Sequence, residues 1–204
     1  MADSITVCNL ALGEIGEDAT VTSLTPPAGS AHARKCAVFY PLARDTVLEA
    51  HAWSFATVYD QLTPISVDLN GWAYAFALPH DYIRALALLP AEFSNDYDDQ
   101  LDFVIETTED GRRVLRANYE APVLKYIFRQ ELIDRWSPMA QHALALQLAV
   151  MLCGPLTKGP KFRAGIYEYF RTVFASATAK DAGTERRKDE MAPDNRPAWI
   201  KARG

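Results

Sequence analysis

The feature that most constrains this chain is a change of hydrophobic period in its middle. Trp72, Tyr74, Phe76 and Leu78 alternate strictly with Ala73, Ala75 and Ala77, a two-residue repeat that puts the large side chains on one face of a β-strand. On either side the apolar residues recur every three or four positions, which is the period of a helix. The chain must therefore combine helices with a sheet segregated between them. The expected class is α+β: a bundle of two N-terminal and two C-terminal helices, an inserted antiparallel β subdomain and an extended C-terminal tail.

The first helix sets Ile5, Cys8, Leu12 and Ile15 at three- and four-residue spacing behind a capping Asp3, and Gly16 can close it in a left-handed conformation. Thr25-Pro-Pro and Gly29 then break the chain before Ser30, which can cap a second helix running to about His51. Ala33, Cys36, Ala37, Tyr40, Ala43 and Val47 form its inward face, whereas Arg34, Lys35, Arg44, Asp45 and Glu49 lie mostly away from it. Pro41 is expected to kink or split this helix, because it has no N–H to continue the ladder. Ser137-Pro138 opens the third helix with a cap and a proline at its first position. From Met139 to Leu152 that helix is apolar nearly all round, the mark of a helix covered on most sides. Breaks at Gly154-Pro155 and Gly159-Pro160 lead to the fourth, where Phe162, Ile166, Tyr169, Phe170, Val173 and Ala177 make one stripe.

Between the helix pairs, further strands are expected at 83–89, around Leu101, Phe103 and Ile105, at 114–119 and at 123–129, with a hairpin turn at Glu109-Asp110-Gly111. Connections this short leave no room for crossover helices, so the strands must pair antiparallel. The resulting division assigns 1–58 and 131–182 to the helical domain, 59–130 to the β subdomain and 183–204 to the tail.

Charge and composition narrow the function. A formal charge of -5 argues against a surface that clamps nucleic acid, which draws on a basic stripe, and points to protein partners. The opening Met1-Ala-Asp-Ser has no basic stretch before an apolar run, which predicts a chain made and kept in the cytoplasm unless exported in a particle. The apolar stretch from Ala143 to Pro155 is too short to span a bilayer, so no membrane association is expected. Cys8, Cys36 and Cys153 are odd in number and far apart, and read as small core residues.

Candidate chemistry is sparse. His32 and Cys36 sit one helical turn apart without a further ligand nearby, and His51 reads as a helix-terminus residue. Pro79-His80-Asp81 reads as a turn, because neighbouring strand residues point to opposite faces and no serine elbow accompanies them. The segment Gly154 to Gly159 has the letters of a phosphate loop in the wrong order, and its proline removes an N–H that would cradle phosphate. Asp96, Asp98, Asp99 and Asp102 form an acidic patch without the spacing of a calcium loop. The row Trp72, Tyr74, Phe76 lacks interleaved cations and reads as core rather than a base-stacking platform. No catalytic, cofactor or metal residues are expected, and the chain is not expected to be an enzyme.

Several strings taken in order resemble the tail tubular protein A family, the head-to-tail adaptors of short-tailed bacteriophages. They are Asn9 to Gly16, Val21 to Leu24, Cys36 to Tyr40, Arg44-Asp45, His51-Ala-Trp53-Ser-Phe55-Ala56, Tyr74 to Pro79 with Asp81, Trp136-Ser-Pro-Met and Leu146 to Thr157. The resemblance covers most of residues 9–180 and does not extend to the loop from Glu92 to Asp102 or to the tail. It implies a structural subunit of the virion at the head-tail junction, made in the host cytoplasm. It further implies a homo-oligomeric ring of about twelve copies, closed by a heterologous interface. Its partners would be the portal protein, the tail nozzle protein and tail fibres, with DNA passing through unbound. Two other classes fit the same residues: a small oligomeric enzyme whose site forms between subunits, and a bacterial interaction module. In the tail, Arg186, Arg187, Lys188, Arg196, Lys201 and Arg203 with Trp199 are the expected contacts to the portal or a neighbouring copy, as cations around an aromatic anchor.

Overall fold

A computed structural model of the chain describes residues 3–18, 20–93, 99–156 and 158–183. It has four helices and two small antiparallel sheets, an α+β fold. Helix α1 spans Ser4–Glu14, with the Asp3 carboxylate accepting from the Thr6 N–H at 2.8 Å, and Gly16 follows at φ +70°, where a side chain would be strained. Helix α2 spans Ala31–Ala50, capped by the Ser30 hydroxyl at the Ala33 N–H. Helix α3, Pro138–Cys153, starts with Ser137 capping Ala140, and helix α4 spans Pro160–Ala182.

Two expectations for α2 are corrected. The helix runs unbroken across Pro41 and is not split, because packing of its two halves on a shared core outweighs one missing hydrogen bond. Arg44, expected to point away, is buried: its aliphatic stem lies against the bundle while its guanidinium reaches Asp45 at 2.9 Å and Glu131 at 3.2 Å.

Helix α3 is the hub, packed by α1, α2 and α4. Its Ala140, Leu144, Leu148 and Leu152 join the main core with Val7, Cys8 and Leu12 of α1 and with Cys36, Tyr40 and Val47 of α2. On another side, Ala143 and Leu146 meet Val173 of α4 in a separate cluster, with Phe170 and Phe174 packed against it. Helix α3 thus lies between α4 and the α1–α2 pair, which is why it is apolar nearly all round.

The strands are β1 Thr57–Gln61, β2 Tyr74–Ala77, β3 Tyr82–Leu89, β4 Phe103–Thr107, β5 Arg113–Ala117 and β6 Val123–Phe128. They form two sheets, ordered β1-β6-β3 and β2-β5-β4, with every pairing antiparallel. The β4–β5 hairpin closes over Glu109-Asp110-Gly111, with Gly111 at φ +82° as a turn of this kind requires. Phe76 is fully buried in a β cluster, and Tyr74 and Leu78 pack against it, but the strand itself is shorter than the alternating run and leaves Trp72 outside. The helical core continues into the first sheet through Ile127, with Ile83 and Leu86 packed on it.

Candidate functional site

Each group with chemical potential sits in a defined local structure. His32 and Cys36 do not converge: the imidazole Nε2 of His32 lies 3.1 Å from Glu17 Oε2, while Cys36 faces Cys8 in the core. The hydrogen bond to Cys36, followed by burial, pushes the Cys8 thiol above its ordinary range, so it holds its proton and is inert as a nucleophile. Cys153 is likewise raised by burial. His80 is exposed in a turn closed by the Tyr82 N–H donating to Pro79 O at 3.1 Å, and Asp81 accepts from the Tyr126 hydroxyl at 3.2 Å. Lys158, the cation of the phosphate-loop look-alike, is committed to Glu17 at 2.7 Å.

One cluster brings together Ser54, His51 and Asp181. The Asp181 carboxylate, buried in the last turn of α4, accepts from the Ser54 N–H at 3.0 Å and from its hydroxyl at 2.7 Å. His51 Nε2 lies 3.3 Å from the same carboxylate, within ion-pairing reach but off the axis of a hydrogen bond. A nucleophilic triad needs the imidazole between the hydroxyl and the carboxylate. Here the carboxylate stands in the middle, so the imidazole cannot take the serine proton, and the cluster serves as a tie between the end of α2 and the end of α4.

A cleft of about 530 Å³ at the far end of the β region is lined by Asp68, Asn70, Glu106, Asp110, Arg112 and Arg116 among others. Its charges are already paired: buried Arg116 binds Glu106 and the Asp68 carbonyl, and Arg112 holds Asp110 at 2.5 Å. Hydrogen bonds from Thr108 and then Arg112 hold the Asp110 carboxyl down at about 2. Among the described residues, no group of three or more His, Cys, Asp or Glu side chains is placed to hold a metal ion. None of the described helices is long and apolar enough to cross a membrane.

The unusual features are surfaces. Phe162 and Tyr169, expected to complete the core stripe of α4, are 44% and 45% exposed, and Tyr167 is exposed beside them. The reason is geometric: α4 packs chiefly on α3, and a helix with one neighbour buries only a narrow stripe, here Val173 and Ala177 with Ile166, Phe170 and Phe174. A groove of about 510 Å³ runs between the two helices, lined by Gln147, Val150, Met151, Pro160, Arg163, Ala164 and Tyr167. On α2, Val38 is 69% and Leu42 58% exposed, one turn apart on the outer face. Periodicity identified the inward faces correctly and contained no signal for these outward ones.

Arg186, Arg187, Lys188, Arg196, Trp199, Lys201 and Arg203 lie outside the described residues, as do Asp96, Asp98 and Thr157. No protein-family model matches the chain, and no curated protein matches it. The strings that carry the resemblance to the adaptor family occupy fold-forming positions. Asn9 clamps Val21 by donating to its carbonyl at 3.0 Å and accepting from its N–H at 2.8 Å. The buried Trp53 indole donates to Val47 O at 2.8 Å, the Trp136 indole donates to Gln130 O at 3.2 Å, and Phe55 stacks on both rings.

Proposed function

We propose that this chain is a non-enzymatic adaptor subunit of a short-tailed bacteriophage, forming a ring between portal and tail nozzle through which DNA passes. The observation that carries the reading is the division of labour in the bundle. Three of its four histidines pair with carboxylates of other segments, while large apolar side chains stand exposed on α2 and α4, on either side of α3. Chemistry-bearing groups hold the fold; the surface is left for association. The resemblance in residues 9–180 supports the same reading, since its strings build this bundle.

A ring subunit needs two different patches, because a closed ring joins unlike surfaces of successive copies. The formal charge of -5 suits a conduit, since a basic wall would retain DNA through its phosphates. The residues from Arg186 to Arg203 and Trp199 supply cations and one anchor for the portal side. Co-sedimentation with assembled portal rings tests this reading. The full chain is expected to bind, and a chain lacking residues 184–204 is expected to melt at the same temperature and fail to bind. No binding by the full chain contradicts the adaptor function, and undiminished binding by the truncated chain contradicts the role of those residues.

A further inference from the structure

The ring reading requires two patches without naming them, and the structure offers a specific pair. We infer that the Val38–Leu42 ridge of α2 on one copy enters the groove between α3 and α4 on the next, a head-to-tail contact that rests on the proposed ring.

Shape and position support the pairing. Val38 and Leu42 lie one turn apart and form an outward ridge of aliphatic knobs. The groove supplies the matching hollow, with Val150, Met151 and Ala164 along its floor and walls and Tyr167 at its rim. Ridge and groove belong to elements on either side of α3, so one copy can offer both at once and the contact can propagate. Two copies of the same patch facing one another would close a dimer instead.

Charge selects the second copy over the chain's own C-terminal segment. From residue 159 to 183 bases outnumber acids four to two, and one of those acids, Asp181, is turned inward. Lys161 and Arg163 flank the groove at the start of α4, and both are exposed. The segment 184–204 carries six bases against four acids, so it would bring like charge to this groove. Between residues 3 and 58 acids outnumber bases six to three, and the outer face of α2 ends on exposed Glu49. An antiparallel crossing of α2 over α4 places Glu49 toward Arg163 while Leu42 sits in the groove.

Cross-linking tests the pairing directly. Leu42→Cys and Ala164→Cys each change an exposed position, and the native Cys8, Cys36 and Cys153 are buried and protected from a maleimide. The two purified variants are mixed with a short bis-maleimide. The mixed pair is expected to form roughly tenfold more than either like pair, because a heterologous contact joins unlike patches. Adding Glu49→Arg to the Leu42→Cys chain should reduce the mixed product, and adding Arg163→Glu to its partner should restore it. Equal yields, like pairs alone or no product overturn the inference. So does protection of Ala164→Cys in the full-length chain that disappears when residues 184–204 are deleted, which would assign the groove to that segment. A positive cross-link with no portal binding would leave the contact standing and remove the adaptor function; portal binding without the cross-link would do the reverse.

Discussion

Asp181 in the last turn of α4 accepts hydrogen bonds from both the N–H and the hydroxyl of Ser54, 127 residues earlier in the chain. The pair fastens the C-terminal end of the bundle to the segment that leads from α2 into β1. A buried carboxylate with two donors contributes more than a surface pair, and removing it strands both donors.

Asp181→Ala is therefore expected to lower unfolding stability by about 3 kcal/mol, with Asp181→Asn costing roughly half, as bonds to a charged acceptor are the stronger ones. Chemical denaturation measures both. Wild-type stability in Asp181→Ala would show that the tie contributes nothing.

Trp53 is fully buried, stacks on Phe55, meets Phe174 edge-on and donates to Val47 O. Trp53→Ala should cost about 4 kcal/mol through the cavity it leaves. Trp53→Phe should cost about 2 kcal/mol, since it keeps most of the packing and loses the indole donor. If the two variants unfold at the same denaturant concentration, ring volume is not what this site contributes.

Glu17 bridges the loop after α1 to Lys158 and to His32, and hydrogen bonds from Lys158 and then His32 hold its carboxyl below the ordinary value of 4.5. A carboxylate lowered in the folded state stabilises above its unfolded pKa, and that contribution is lost as pH falls through the folded value. Glu17→Gln should therefore flatten the acid limb of the stability curve at and below about pH 4.5 and give a pH-independent offset above it. An acid limb identical to that of the wild type would contradict the bridge.

Local chemistry made much of the fold legible. Asp3, Ser30 and Ser137 each cap the helix expected of them, and the alternation around Phe76 marks a strand whose ring is buried. Strand β1 was the harder case: Thr57–Gln61 is an edge strand with one exposed end and no strict alternation, so pairing with β6 rather than its own pattern makes it a strand. Arg44 was misplaced because periodicity assigns a charged residue outward, whereas its partner Glu131 lies 87 positions away. The same distance problem hid Asp181 and Ser54. For Phe162 and Tyr169, spacing revealed a stripe without revealing how wide a stripe a single neighbour can cover.

The most direct test of the adaptor reading is a reconstruction of the intact virion at a resolution that traces side chains. The account predicts density for this chain in a closed ring at the head-tail junction, between portal and nozzle, with the α2 ridge of each copy seated in the α3–α4 groove of the next. Density for this chain elsewhere in the particle, or its absence from purified virions, would contradict it.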